Sequence, residues 1–98
     1  MKTFSLLLAL TFSALTTSAQ TIITGTVKDK ENNPLIGATV FIPSSYDGTS
    51  TNQKGEFVLT TNEKGEQRIE IKYIGYTTQS KTIDLKNDSI RINFMLSE

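Results

Sequence analysis

The sequence predicts an all-β protein, a small two-layered β-sandwich that follows a leader segment. Three observations support this prediction. In several short segments, aliphatic or aromatic residues alternate with polar ones, which is the pattern of strands buried on one face. Glycine, proline and asparagine fall between these segments, where tight turns need them. Beyond residue 19, no segment carries the apolar repeat of an amphipathic helix over several turns.

Residues 1–19 have the three parts of a secretory signal peptide. Lys2 supplies the charged start, residues 4–15 form an apolar run, and Thr17-Ser18-Ala19 is a small-residue cleavage site. The apolar run is short and rich in Ser and Thr for a segment that must span about 30 Å of hydrocarbon. We therefore predict a signal peptide over residues 1–19 and one domain over residues 20–98, with an uncleaved N-terminal anchor as the alternative.

The first predicted strand is Thr21–Asp29, in which Ile23, Gly25 and Val27 share one face. Because glycine has no side chain, we expect another part of the chain to pack closely over Gly25.

The central stretch of the chain contains three further predicted strands joined by loops and tight turns. Pro34 and Gly37 redirect the chain into a strand in which Val40 lies on the inward face. Residues 49–51 follow as a short edge strand. A turn that begins at Asn52 then needs a positive φ, which Gly55 supplies. Phe57 and Leu59 alternate inward after that turn.

Three later strands complete the predicted sandwich. They follow a polar turn centred on Gly65, are separated by a bend at Gly75 and a loop at 84–88, and span Gln67–Tyr73, Thr77–Ile83 and Ser89–Leu96. The first of them is the most regular, because Ile69 and Ile71 alternate with charged residues that we interpret as a solvated face with weak ion pairs. The predicted core consists of Val27, Val40, Phe57, Leu59, Ile69, Ile71, Ile92 and Phe94.

Four motifs occur in a fixed order along the predicted strands. They are Gly25-x-Val27-x-Asp29, Pro34-Leu35-x-Gly37-Ala38-Thr39-Val40, Gly48-Thr49-x-Thr51-Asn52-x-x-Gly55-x-Phe57-x-Leu59, and Tyr73-Ile74-Gly75-Tyr76. This order resembles the carboxypeptidase regulatory-like domain. The resemblance implies a transthyretin-like (prealbumin-like) Greek-key sandwich of about seven strands. Backbone shape would then depend on Gly25, Pro34, Gly37, Gly55 and Gly75. Asn52 departs from the family, which usually has Asp there.

The resemblance also implies a setting. Domains of this family stand at the N-terminus of many TonB-dependent outer-membrane receptors of Bacteroidetes, where they precede the plug and barrel on the periplasmic side. We therefore expect an exported, non-catalytic structural or interaction module, located in the periplasm or at the outer membrane. Its expected partner is an outer-membrane receptor or transport complex, or another envelope protein. The sequence leaves open whether the chain acts alone or belongs to a longer receptor.

The composition argues against several kinds of chemistry. The chain has no His and no Cys, which removes imidazole bases, thiol nucleophiles and nearly all zinc sites. Its formal net charge is zero, which disfavours nucleic acid and anionic lipid as main partners. Carboxylates fall in or beside the predicted loops, but without the dense alternation of a calcium loop. We predict no enzyme activity, no cofactor and no metal.

The remaining candidates for binding are three tyrosines, Tyr46, Tyr73 and Tyr76. A stand-alone carbohydrate- or peptide-binding module could use such rings, and this is the alternative function. For Tyr46 we favour a position over the edge of the core with the hydroxyl in water.

Overall fold

The computed structural model describes residues 20–86 and 88–98. The predicted signal peptide lies outside these residues. Within the described ranges, no helix is long and apolar enough to cross a membrane.

Eight strands form two packed sheets, as an all-β sandwich requires. The strands are β1 Thr21–Asp29, β2 Thr39–Phe41, β3 Gly48–Ser50, β4 Glu56–Thr61, β5 Gly65–Lys72, β6 Gln79–Leu85, β7 Ser89–Arg91 and β8 Phe94–Leu96. In the first sheet β1 lies between antiparallel β4 and the parallel strands β7 and β8. The second sheet has the antiparallel order β3-β2-β5-β6. The predicted fold class is confirmed.

The core lies between the two sheets and consists of the residues that alternate inward. All eight predicted core residues are buried, and Leu35, Ala38, Ile42, Leu85, Leu96 and Ile23 join them. Such side chains each contribute about 1.5–3 kcal/mol when they leave water. Phe57 and Phe94, from strands on opposite sides of β1, place their ring centroids 6.5 Å apart.

The last predicted strand is interrupted, so that β7 and β8 are two halves of one strand. Ile22 pairs with Ser89 and Val27 with Phe94, which is the same register on both sides of the break. At the break the side chain of Asn93 replaces the main chain: its Oδ1 accepts the Thr26 N–H at 3.1 Å.

The cause of this break is the close approach of the chain to Gly25. A Cβ on Gly25 would lie 1.6 Å from the Ile92 carbonyl oxygen, so only glycine fits opposite that carbonyl. Gly25 therefore lies within a strand and shapes the sheet there, rather than forming a corner.

Several predicted boundaries are wrong by a few residues. The turn assigned around Gly65 is shorter, because β4 continues to Thr61 and β5 begins at Gly65 itself. Strand β6 begins at Gln79 and continues through Leu85, so the first two residues of the predicted loop at 84–88 belong to the sheet. Leu85 is buried, and its burial extends the strand.

The register defines two ends of the sandwich, which we name by residues of β1. At the Asp29 end lie the β1–β2 loop, the turn at 52–55, the β5–β6 loop and residues 97–98. At the Thr21 end lie the β2–β3 loop and the β4–β5 turn. This follows because β2 begins beside the end of β5, where Thr39 pairs with Lys72.

Candidate functional site

Two of the predicted tyrosines form one cluster at the Asp29 end. The rings of Tyr73 and Tyr76 lie 5.5 Å apart between centroids, at an angle of 52°. They flank a tight turn in which the Tyr76 N–H donates to the Tyr73 carbonyl at 3.0 Å. Both rings are half-buried against the core, so they close this end of the sandwich.

Tyr46 lies at the Thr21 end, in the β2–β3 loop. Its side chain is fully exposed, with a relative exposure of 106%. The expected position over the edge of the core is therefore wrong for this residue. The structure brings Tyr73 and Tyr76 together but leaves Tyr46 at the opposite end, so the three rings do not form one binding platform.

An apolar cleft of about 660 Å³ lies beside the tyrosine pair. Its lining consists of Gly37, Thr39, Lys72, Tyr73, Ile74 and Thr78. Ile74, at the tip of the turn, is 95% exposed, and Ile36 on the neighbouring loop is 53% exposed. These two exposed aliphatic side chains make this end of the sandwich a candidate contact surface. Sequence reasoning missed them because their exposure depends on where the two loops meet.

A second cleft, of about 420 Å³, has Tyr76 in its lining together with three acidic residues and Lys30. Asp29, Glu31 and Glu98 contribute carboxylates to its lining. Partial burial, and then the carboxylate of Glu98, raise the pKa of Tyr76. In the described part of the chain no group of three acidic residues is arranged to hold a metal ion.

The carboxylate of Asp29 is held by the loop that follows it. It accepts the backbone N–H of Asn33 at 2.8 Å and that of Glu31 at 2.9 Å. The Asn33 N–H bond is the main cause that lowers the pKa of Asp29, and burial opposes it. This carboxylate is therefore committed to holding the β1–β2 loop rather than to a ligand.

The outer face of the second sheet carries the charged residues of β5. Arg68 and Glu70 form an ion pair at 3.3 Å. The Lys72 ammonium lies 5.5 Å from the centroid of the Phe41 ring. These groups are satisfied by their neighbours, as the interpretation of a solvated face requires.

These observations define a β-sandwich module with an exposed apolar end. The chain belongs to the CarboxypepD_reg-like domain family, whose model matches residues 23–98. This confirms the family that the four sequence motifs indicated. No curated protein sequence matches the chain significantly.

Several solved structures have a similar fold at low sequence identity. A type II Cohesin-X-Dockerin complex from Acetivibrio cellulolyticus contains a chain with a TM-score of 0.66 and 18% identity, covering 78% of this chain and 56% of that one. 3-ChloroCatechol 1,2-Dioxygenase from Rhodococcus Opacus 1CP matches with a TM-score of 0.62 and 13% identity, covering 84% of this chain and 61% of that one. Phospholipase PlaB from Legionella pneumophila matches with a TM-score of 0.62 and 13% identity, covering 90% of this chain and 28% of that one.

These likenesses show the fold alone. This chain spans between about a quarter and three fifths of the length of the three matched chains. The sandwich thus occurs both in an assembly complex and in chains of enzymes.

Proposed function

We propose that this protein is a non-catalytic interaction module of the bacterial cell envelope, related to the N-terminal periplasmic domain of TonB-dependent nutrient receptors. The observation that supports this most is the family match over residues 23–98, which spans nearly the whole described sandwich. The module would contact an outer-membrane receptor, a transport complex or another envelope protein.

The distribution of chemistry over the molecule supports a contact role. The chain has neither His nor Cys, so the usual imidazole and thiol groups of catalytic sites are missing from it. Its large exposed side chains include Ile36 and Ile74 at one end of the sandwich, beside an apolar cleft. A pair of exposed aliphatic residues on adjacent loops suits docking against another protein.

Export is part of the proposal. Residues 1–19 would be removed, and the domain that begins at Gln20 would work in the periplasm or at the outer membrane. Both a free-standing module and the first domain of a longer receptor agree with this location.

The test combines location with contact in the bacterium that encodes the protein. An epitope-tagged protein is fractionated, its N-terminus is sequenced, and a photo-crosslinking amino acid replaces Ile74, with the same replacement at Glu66, exposed at the Thr21 end, as the control. We expect an N-terminus at Gln20, an envelope fraction, and crosslinks to an envelope protein from position 74 but not from 66. A cytoplasmic protein that retains Met1 would contradict the proposal.

A stand-alone carbohydrate- or peptide-binding module is the second candidate. One observation favours it: Tyr46 is fully exposed on a loop, where a ring can stack on a sugar. A glycan array with the protein and with its Tyr46→Ala variant tests this. Hits that disappear in the variant support the second candidate, and an array without hits removes the glycan form of it.

A further inference from the structure

We propose that the free edge of β6 is a docking site for an extended peptide segment of a partner protein that carries an acidic side chain. This inference rests on the proposed role as an interaction module and specifies its surface and its partner. The partner strand would extend the second sheet by main-chain hydrogen bonds.

In β2, the backbone groups of successive residues face β3 and β5 alternately. The Ile42 N–H donates to Asp47 and the Thr51 N–H to Ala38, so Ala38, Val40 and Ile42 direct their backbone groups toward β3. Because these directions alternate along a strand, Thr39 and Phe41 bond β5 instead.

The same alternation applies to β5, which lies between β2 and β6. In β5, Lys72 and Glu70 pair with Thr39 and Phe41, so Ile69 and Ile71, which alternate with them, direct their backbone groups toward β6. Their partners in β6 are Lys81 and Gln79. The backbone groups of Ser80, Thr82 and Asp84 are therefore directed away from the sheet, at its free edge.

Contacts within the chain tie the other edges of the sandwich to neighbouring segments at one or two points each. On the β8 side, the Gln79 Nε2 donates to the Met95 carbonyl at 3.2 Å and the Thr77 N–H to the Ser97 carbonyl at 2.8 Å. Because Gln79 is the first residue of β6, these bonds also hold the start of β6 against β8, and the free part of its edge begins at Ser80. On the β4 side, the Asn52 N–H donates to the Glu56 carbonyl at 2.9 Å.

A side-chain hydrogen bond joins the other end of β4 to the loop that precedes β3. The Thr61 hydroxyl donates to Asp47 Oδ2 at 2.6 Å, so β4 is tied to the β3 side at both of its ends. Strand β6, with seven residues, is the longest strand at an edge of either sheet in the described part of the chain. From Ser80 onward, its outward backbone groups have no partner among the described residues.

Lys81 determines which strand this edge accepts. Period two places Lys81 on the same face of β6 as Leu85, which is buried, and Ile83, which packs against the core. Lys81 nevertheless remains exposed and forms no ion pair with any residue that the structure describes. An unpaired lysine on the inward row of an edge strand discourages pairing with uncharged strands.

The same lysine argues against a second copy of this chain as the partner. Antiparallel pairing of two β6 strands about Thr82 would bring Lys81 of each copy to diagonal positions, where like charges repel. An acidic residue opposite Lys81 would instead complete an ion pair. That position is a non-hydrogen-bonded pair, in which side chains lie closest.

The test uses two synthetic probes: the fluorescein-labelled peptide Ser-Thr-Val-Thr-Glu-Thr-Ser, and the same peptide with Lys in place of Glu. Binding to the purified protein is measured by fluorescence anisotropy at low and high salt. We expect the Glu peptide to bind about tenfold more tightly than the Lys peptide. The Lys81→Glu variant should reverse this preference. The Lys54→Glu variant, with the same change of charge at the β3–β4 turn, should keep it.

Amide hydrogen exchange gives the second readout. With the Glu peptide bound, the amides of Ser80 and Thr82 should exchange about tenfold more slowly, while those of Lys81 and Ile83, already bonded to β5, should change little. Alternating protection along β6 is the signature of an added strand.

Three results would overturn the inference: no binding of either peptide, equal binding of both, or protection at another surface. Each leaves the proposed function intact if the protein is still found in the envelope with crosslinks from position 74. Conversely, a cytoplasmic protein that binds the Glu peptide through β6 would contradict the proposed function alone.

Discussion

At Gly55 the backbone requires glycine for two separate reasons. Its φ is 73°, and a Cβ there would lie 2.7 Å from the Val27 carbonyl oxygen and 3.0 Å from Pro34 Cβ. We predict that Gly55→Ala lowers the free energy of unfolding by more than the 1–3 kcal/mol typical of a strained φ. The matched control is Gly75→Ala, where φ is 89° but nothing lies within 4 Å. Urea unfolding of both variants measures the difference, and equal losses would show that the contact with Val27 has no effect.

Thr51 illustrates how one buried hydroxyl fixes a loop. Its Oγ1 accepts the Ala38 N–H at 2.8 Å and donates to the Leu35 carbonyl at 2.6 Å. We predict that Thr51→Val destabilises the protein by about 2–4 kcal/mol, because both backbone groups lose their partner in a buried site. Thermal unfolding measures this loss. Thr49→Val, a change of the same shape on a half-buried neighbour, should shift the midpoint far less.

At the scale of the strand, Asn93 bridges the break between β7 and β8. Its Oδ1 accepts both the backbone N–H and the hydroxyl of Thr26, each at 3.1 Å. We predict that Asn93→Ala costs about 1–2 kcal/mol, because the Thr26 N–H is left without a ladder partner. Asn93→Asp keeps an acceptor oxygen and should recover most of this loss. Chemical denaturation compares the two variants, and an Asp variant as unstable as the Ala variant would exclude the hydrogen bond as the cause.

The loop after β1 gives the protein a dependence on acid pH. The pKa of Asp29 lies below its ordinary value of 3.8, chiefly because the Asn33 N–H bonds the carboxylate. A carboxyl group with a lowered pKa in the folded state stabilises the fold above its unfolded pKa, and this contribution is lost as pH falls through the folded pKa. We predict that Asp29→Asn is less stable than the parent at neutral pH. The difference should shrink below pH 3.8, as urea midpoints at several pH values would show. Glu66→Gln, which removes an exposed carboxylate, controls for net charge.

Strands whose alternation is unbroken were predictable, and those shaped by distant residues were not. The bounds of β1 match the prediction. The buried face of β5 also matches it, because Ile69 and Ile71 alternate with charged residues. The end of β6 was missed because Asp84 suggested a loop, although Ile83 and Leu85 continue the alternation. The break at Asn93 depends on Gly25, in another strand, and no local pattern reveals it.

At the scale of the whole molecule, the candidate surfaces depend on how strands are ordered rather than on any motif. The tyrosine pair at Gly75 could be found from the sequence, because two rings flank one turn. The open edge of β6 could not, because it follows from the order in which the strands pair within the two sheets. The role of Lys81 could be inferred only from the structure, which shows that Ile83 and Leu85, on the same face of β6, pack against the core.

The first and last strands of the described chain pair with each other, so the last strand completes the first sheet. Strand β8 pairs with the end of β1 and buries Phe94 and Leu96. We predict that a chain ending at Asn93 does not fold, because loss of two such side chains costs about 2–5 kcal/mol each, against the 5–15 kcal/mol of a whole domain. A chain ending at Leu96 keeps this core and loses one backbone bond, from the Thr77 N–H to the Ser97 carbonyl, so it should fold with a slightly lower midpoint. Far-UV circular dichroism and urea unfolding of the two truncated proteins distinguish these outcomes, and a folded chain ending at Asn93 would show that β8 is dispensable.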